Sequence, residues 1–322
     1  MEKINLSIII PVYNEEENIP ILYGEIKDSI ESIEPNYEII FINDGSSDNS
    51  LKELKALREK DKRVKIIDFR KNFGQTAALA AGFDYAEGEI MITMDGDLQN
   101  NPKDIPLLIK KMKNEDLDLV NGWRYKRKDP FISRKLPSMM ANKLISWITG
   151  VKLHDYGCTL KVYRKDIAKD LKLYGEQHRF IPALAHIEGA KVGELKVDHR
   201  ERKFGKSKYG ISRTIRVILD LITVKFLSSY STKPLQIFGL LGFITGGIGV
   251  LIGLYLAYIR LILKQGIAGR PLLFLSMLLI FMGVQFFSLG IIGEMLSRTY
   301  HESSKKKVYR VKRAEGFDSK KK

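Results

Sequence analysis

The stretch at residues 89–102, EIMITMDGDLQNNP, decides the fold. A short apolar run, Ile90 to Met94, stops at two aspartates, Asp95 and Asp97, with Gly96 between them. An apolar run bounded in this way by turn residues reads as a buried strand. Carboxylates repel one another and resist burial, so two of them at a strand mouth destabilise the fold unless a cation lies between them. A purely structural calcium loop is the plain alternative. Loops of the EF-hand type need further oxygens at fixed spacing and a late glutamate, and none follows Asp97. Magnesium and manganese instead accept one or two carboxylates together with substrate phosphates. The motif therefore asks for a divalent ion and a diphosphate.

Upstream, LSIIIPV (6–12), YEIIFIN (37–43) and VKIIDF (64–69) repeat the pattern of EIMITM. The spacing predicts helices after these four runs, from about Glu15, Ser47, Gly74 and Pro102. Continuous apolar strands alternating with helices give an α/β domain, a mostly parallel sheet with helices on both faces. Such sheets bind ligands beyond the carboxyl ends of their strands. Polar groups recur at that rim: Tyr13-Asn14-Glu15, Asp44-Gly45-Ser46, Asn72-Phe73-Gly74 and Asp95-Gly96-Asp97. From about 126 to 210 the pattern loosens into basic loops, an amphipathic helix SMMANKLISWITG (138–150), and strands at LKVYR (160–164) and VGELKVDHRER (192–202). These complete one domain over residues 1–210.

Residues 211–232 carry apolar positions at helical spacing with Arg213, Arg216 and Lys225 interspersed, as in a helix lying in a membrane interface. Two long apolar segments follow within 233–297, Leu235 to Leu263 and Leu272 to Leu296, joined by KQGIAGR. Each exceeds the roughly 20 residues that span a bilayer, so they read as a transmembrane hairpin. Gly242/Gly246 and Gly249/Gly253 stand at small-xxx-small spacing, which permits close helix packing. The segment 298–322 reads as a basic tail, with KKK at 305–307 and again at 320–322. A hairpin returns both ends to one side, and the excess of cations on that side predicts a plasma-membrane protein with domain and tail cytoplasmic.

The chain of 322 residues has a net charge of +15, which predicts anionic partners; their position beside the apolar segments favours a lipid surface over nucleic acid. One cysteine, Cys158, excludes an intramolecular disulfide and suits a reducing compartment. The N-terminal region shows no n-region, long h-region or cleavage site of a signal peptide.

Four motifs in order, IIIPVYNEEENI (8–19), FINDGSSDNS (41–50), RKNFGQTAALAAGF (70–83) and ITMDGDLQNNP (92–102), resemble glycosyltransferase family 2 with the GT-A fold. The likeness continues through DYGCTLKVYR (155–164), RKFGKSKYG (202–210) and the hairpin, and there resembles the polyprenyl-phosphate glycosyltransferases. The resemblance implies a nucleotide-sugar donor, a polyprenyl phosphate acceptor (undecaprenyl or dolichyl) and a Mg²⁺ or Mn²⁺ ion. It implies that Pro11, Tyr13, Glu15 and Gly96 line the nucleotide, that Asp44 bonds the base, and that Asp95, Asp97 and Gln99 form the metal shell. Glu15 suits a helix start equally, and Asp44 a turn. Arg124 and Arg134 with Ser138 match positions contacting phosphates, and Arg202 with Lys208 positions that steady the leaving diphosphate. Asp155 suits a grip on a sugar hydroxyl or on the acceptor, or a turn carboxylate.

The implied reaction is inverting transfer from a UDP-sugar, with GDP-mannose as the other donor. A lipid monophosphate is already anionic near neutral pH, so no strong general base is required. Two other readings compete: a membrane-anchored nucleotide-sugar binder without turnover, and a processive polysaccharide synthase. The synthase would need a QxxRW-like motif, which EQHRFIP does not supply. The strand-like VYRVKR (308–313) predicts pairing between subunits, hence a homo-oligomer.

Overall fold

The computed structural model describes residues 3–125, 142, 145–146, 149–173, 175, 177–201, 234–267, 269–303 and 308–317. The chain divides into two compact units, Met1–Ile222 with Lys307–Lys322, and Thr223–Lys306.

In the first unit the β-branched runs form β1 (Leu6–Val12), β2 (Tyr37–Asn43), β3 (Val64–Phe69) and β4 (Ile90–Thr93). Helices α1 (Ile19–Ile30), α2 (Ser50–Lys60), α3 (Gln75–Tyr85) and α4 (Ile105–Asn114) follow them in turn. Next come β5 (Leu119–Arg124), β6 (Lys161–Arg164), α5 (Lys165–Asp170), α6 (Ile181–Ile187) and β7 (Val192–Val197). The strands make one sheet in the order β7-β5-β6-β4-β1-β2-β3-β8, where β8 is Val311–Glu315.

The strands are apolar on both sides because both faces are covered. Ile8 and Ile10 of β1 pack with Leu22 and Ile26 of α1, whereas Ile9 packs with Ala77, Ala78 and Ala81 of α3 on the opposite face. Neighbours β4-β1-β2-β3 pair in parallel, and β6 runs antiparallel to both β4 and β5. The carboxyl ends of β1 to β4 therefore open on one rim.

The sequence reading of 298–322 as a plain tail needs a correction. Its strand β8 pairs antiparallel with β3 of the same chain, where the sequence had suggested pairing between subunits. Tyr309, Val311, Ala314 and Phe317 join the apolar cluster on the α3 side, while Lys312 and Arg313 stay exposed.

The second unit is a helical hairpin, α7 (Pro234–Leu261) and α8 (Pro271–Ser303). Phe238–Leu261 and Pro271–Gly293 are long and apolar enough to cross a membrane. Their side chains face outward, with Phe243 81% and Leu251 68% exposed, which the core helices of a water-soluble domain would not tolerate. The helices touch where the sequence is smallest. A Cβ on Gly283 would lie 2.7 Å from Gly246 Cα and 2.8 Å from Gly242 O, and Ser276 donates to the Gly249 carbonyl at 2.8 Å. Residues 211–232, the expected interfacial helix, lie outside the described residues, and so do 126–141.

Candidate active site

The rim loops are tied to one another before any ligand is considered. Asn14, in a left-handed conformation (φ 55), donates its amide to Ser46 Oγ at 3.0 Å and accepts from the Ser47 amide at 2.8 Å. The Glu15 amide donates to Ser50 Oγ at 2.9 Å, and the Glu15 carboxylate accepts from Asn18 Nδ2 at 2.5 Å at the entrance of α1. The Glu15 carboxylate therefore lies ahead of α1, whose first turn holds no acidic residue. Pro11 and Tyr13 are half-buried on the same loop.

Asp44 is 4% exposed, and both its oxygens face the loop before α3. Oδ1 accepts from the Phe73 amide at 2.6 Å and Oδ2 from the Gly74 amide at 2.9 Å. Burial pushes its carboxyl upward, and these two amides pull it back. The carboxylate thus braces a loop 29 and 30 residues further along the chain and not its own turn.

The two aspartates of the opening motif sit where β4 ends. Gln75 Nε2 donates to Asp95 Oδ1 at 2.7 Å, reaching over from the first turn of α3. Burial raises the Asp95 carboxyl, the Asp97 charge raises it further, and the Thr159 hydroxyl, Arg124 and Lys161 oppose the rise. Asp97 is 6% exposed and accepts from the Gln99 amide at 3.1 Å. The Gln99 side chain turns toward the Arg200 carbonyl, at 3.4 Å. Gly96 backs onto Pro11, whose carbonyl oxygen would lie 3.3 Å from a Cβ.

Among the described residues no group of three or more His, Cys, Asp or Glu forms a metal cage. A carboxylate whose proton affinity is raised by the charge of its neighbour fits a divalent cation that takes its remaining ligands from a diphosphate and water.

Beside this pair lies a second ionic cluster. Arg124, at the end of β5, forks onto Asp155, with Nε to Oδ2 at 2.6 Å and Nη2 to Oδ1 at 2.8 Å. The Gly157 amide also donates to Oδ1, at 3.2 Å. Burial opposes the Arg124 charge, and the Asp155 carboxylate outweighs it, so the guanidinium stays protonated. Lys161 of β6 is 3% exposed, donates to the Cys158 and Tyr156 carbonyls, and has its ammonium pushed down to about 8 by burial. Cys158 is fully buried and its thiol pushed up to about 11, as expected of packing rather than of a nucleophile.

Residues 7–172, which hold every one of these loops, match the sequence model of Glycosyl transferase family 2. The chain belongs to glycosyltransferase family 2. A dodecaprenyl-phosphate galacturonate synthase from Rhizobium johnstonii is 44% identical over 315 residues, 97% of this chain and 93% of the relative. An undecaprenyl-phosphate 4-deoxy-4-formamido-L-arabinose transferase from Shewanella sediminis is 39% identical, over 95% and 91% of the two chains. Glucosyl-3-phosphoglycerate synthase from Mycobacterium tuberculosis, solved with Mn²⁺, UDP and glucosyl-3-phosphoglycerate, shares the fold at a TM-score of 0.52 and 16% identity, over 70% of this chain and 79% of that one. A Pyrobaculum calidifontis mannosyltransferase, solved with GDP-Man and Mn²⁺, gives 0.51 at 12%, over 96% and 78%. The expected GT-A fold is borne out.

In this glycosyltransferase Pro11, Tyr13, Glu15, Asp44, Asp95, Gly96, Asp97 and Gln99 share the rim, with Arg124 and Asp155 next to them. Arg134, Ser138, Arg202 and Lys208 lie outside the described residues. Arg200, two residues before Arg202, clamps Glu25 of α1 at 2.8 Å and Asn101 at 2.7 Å. Sequence reasoning missed Gln75, Thr159 and Lys161 near Asp95. Lys161 carried a usable signal, because a lysine opening an otherwise apolar strand run faces inward only with oxygen partners.

Proposed function

We propose that this family-2 glycosyltransferase moves a sugar from a nucleotide-sugar to a polyprenyl phosphate, undecaprenyl or dolichyl, at the cytoplasmic face of the plasma membrane. A UDP-sugar is the favoured donor and GDP-mannose the alternative. The observation that carries the reading is the buried Asp95–Asp97 pair at the rim, whose mutual repulsion calls for a divalent ion and a diphosphate. The two relatives supply the acceptor class, since both are named for polyprenyl phosphates. Their sugars, galacturonate and a formamido-arabinose, head the panel of donors to try.

The lipid phosphate, with a second pKa of about 6, attacks as an anion. Its oxygen bonds to the anomeric carbon from the face opposite the nucleoside diphosphate, whose C–O bond breaks in the same step, so the centre inverts. Asp97, with Asp95 and Gln99 beside it, would hold Mg²⁺ or Mn²⁺, and the ion supplies Lewis-acid stabilisation of the leaving diphosphate. Gln75 orients Asp95, Asp44 and Tyr13 face the nucleoside, and Arg202 and Lys208 add positive charge on the diphosphate side. Arg124 keeps Asp155 in place, so Asp155 acts as a positioning residue and no side chain needs to take a proton.

The test is transfer of radiolabelled sugar to undecaprenyl phosphate by purified protein with Mg²⁺ or Mn²⁺. Asp97→Ala is expected to lower turnover by at least about a thousandfold, on the scale of losing a main electrostatic stabiliser, with an unchanged circular dichroism spectrum. Full activity in that variant, or in chelator, sinks the metal assignment. Nucleotide-sugar binding without turnover across the donor panel would favour the binder over the enzyme.

A further inference from the structure

The last strand of the chain meets the pocket expected to hold the donor base. Tyr309 is 5% exposed and stacks on Phe69 at the end of β3, ring centroids 5.4 Å apart and planes 14° from parallel. Phe69 in turn meets Phe73 edge-on at 5.6 Å and 88°. Phe73 and Gly74 are the residues whose amides grip Asp44. The Tyr309 hydroxyl donates to Asp84 Oδ2 near the far end of α3 at 2.6 Å, and the Arg70 amide donates to the Arg310 carbonyl at 3.3 Å, so the residues leading into β8 hold the start of the 70–74 loop and the helix that follows it.

That loop also lies hard against the one carrying Asp44. Gly45 has φ +69, and a Cβ there would fall 2.5 Å from the Lys71 carbonyl carbon and 2.6 Å from the Asn72 nitrogen. Two loops packed backbone to backbone move together. Three aromatic rings in series, one pair stacked and one edge-on, hold one another in preferred geometries. Releasing the first ring leaves Phe69 and Phe73 without a wall, and the amides at 73 and 74 lose their fixed direction.

We propose that Tyr309 is a positioning residue for the donor nucleotide: through Phe69 and Phe73 it fixes the loop whose amides hold Asp44 in place. The inference rests on the reading of Asp44 as a donor contact. It gives the segment after the hairpin a task in donor binding, 225 residues in sequence from the helix residue its hydroxyl bonds.

The experiment uses the full chain in detergent, with hydrogen–deuterium exchange at 70–75, calorimetric titration of UDP and of GDP with Mn²⁺, and steady-state kinetics. Tyr309→Ala is expected to speed exchange at Phe73 and Gly74 by about tenfold and weaken the preferred nucleotide by a similar factor, equal to about 1.4 kcal/mol. The donor KM should rise to match while kcat and the lipid KM stay within about threefold, the signature of lost ground-state binding. Tyr309→Phe, which keeps the stack, should restore both readouts. Should Tyr309→Ala fail to fold, Phe69→Leu breaks the same series within the sheet and carries the test. Unchanged exchange at 73–74, or a fall in kcat with donor KM unmoved, overturns the proposal. Asp44→Ala separates the two layers: if it weakens nucleotide binding while Tyr309→Ala does not, only the part of Tyr309 falls. If neither variant weakens it, the donor reading of Asp44 falls as well.

Discussion

Both oxygens of Asp155 are occupied by Arg124 and the Gly157 amide, which makes this carboxylate the keeper of the turn at 155–158. The side chains are 17% and 4% exposed, so the pair is largely desolvated. Removing one partner of such a pair strands the other charge and costs about 3–5 kcal/mol, whereas removing both leaves no charge behind. Arg124→Gln and Asp155→Asn are therefore each expected to lower the melting temperature clearly, and the double variant by much less than the sum. Additive losses in a double-mutant cycle would show that the two side chains act apart. The residues that could be read from sequence were those whose chemistry is local. Asp95 and Asp97 announce themselves because two charges end an apolar run. Arg124 and Asp155 stand 31 positions apart, and no periodicity tells that a fork closes between them.

At the scale of elements, β1, β2 and β3 coincide with the runs that predicted them, because strands covered on both faces stay apolar nearly throughout, and their polar members Ser7, Glu38, Asn43 and Asp68 are buried with the rest. Helix starts ran late, at Ile19 and Ser50, because the preceding polar residues are used in tying rim loops together. Strand β8 was legible as VYRVKR but its partner β3 was not, because an edge strand keeps its charges in water and has few apolar residues to say which sheet it joins. The hairpin was legible down to its contacts: Gly242 and Gly246 meet Gly283, and Gly249 and Gly253 meet Ser276. Both neighbours of Gly283 are backbone, so a larger residue there cannot be absorbed by a rotamer change. Gly283→Leu is expected to force the helices apart and destabilise the hairpin by about 1–3 kcal/mol, the usual scale of overpacking. Gly247→Leu, at a position with open space around it, serves as the control. Equal thermal stability of the two variants in detergent would contradict the packing.

For the whole molecule, the pairing of β8 with β3 bears on topology more strongly than the charge count does. Strand β3 precedes both long apolar helices in the chain and β8 follows them, yet they exchange backbone hydrogen bonds over Ile66–Phe69 and Val311–Glu315. Two strands of one sheet cannot lie on opposite sides of a bilayer. Two spans between them satisfy that condition, and one or three would not. The charges agree with the side: Lys264 and Arg270 flank the short loop, while the segment from Arg298 carries two Lys-Lys-Lys runs. We therefore expect domain and tail in the cytoplasm and only the 264–270 loop outside. Cys158 is the single cysteine and is buried, so a Cys158→Ala chain gives a clean background. In intact cells an impermeant maleimide should label Gly266→Cys and spare Ser319→Cys, and permeabilising the cells should expose the second. Labelling of both before permeabilisation would separate β8 from β3 and undo the hairpin, and with it the route by which Tyr309 reaches the donor pocket.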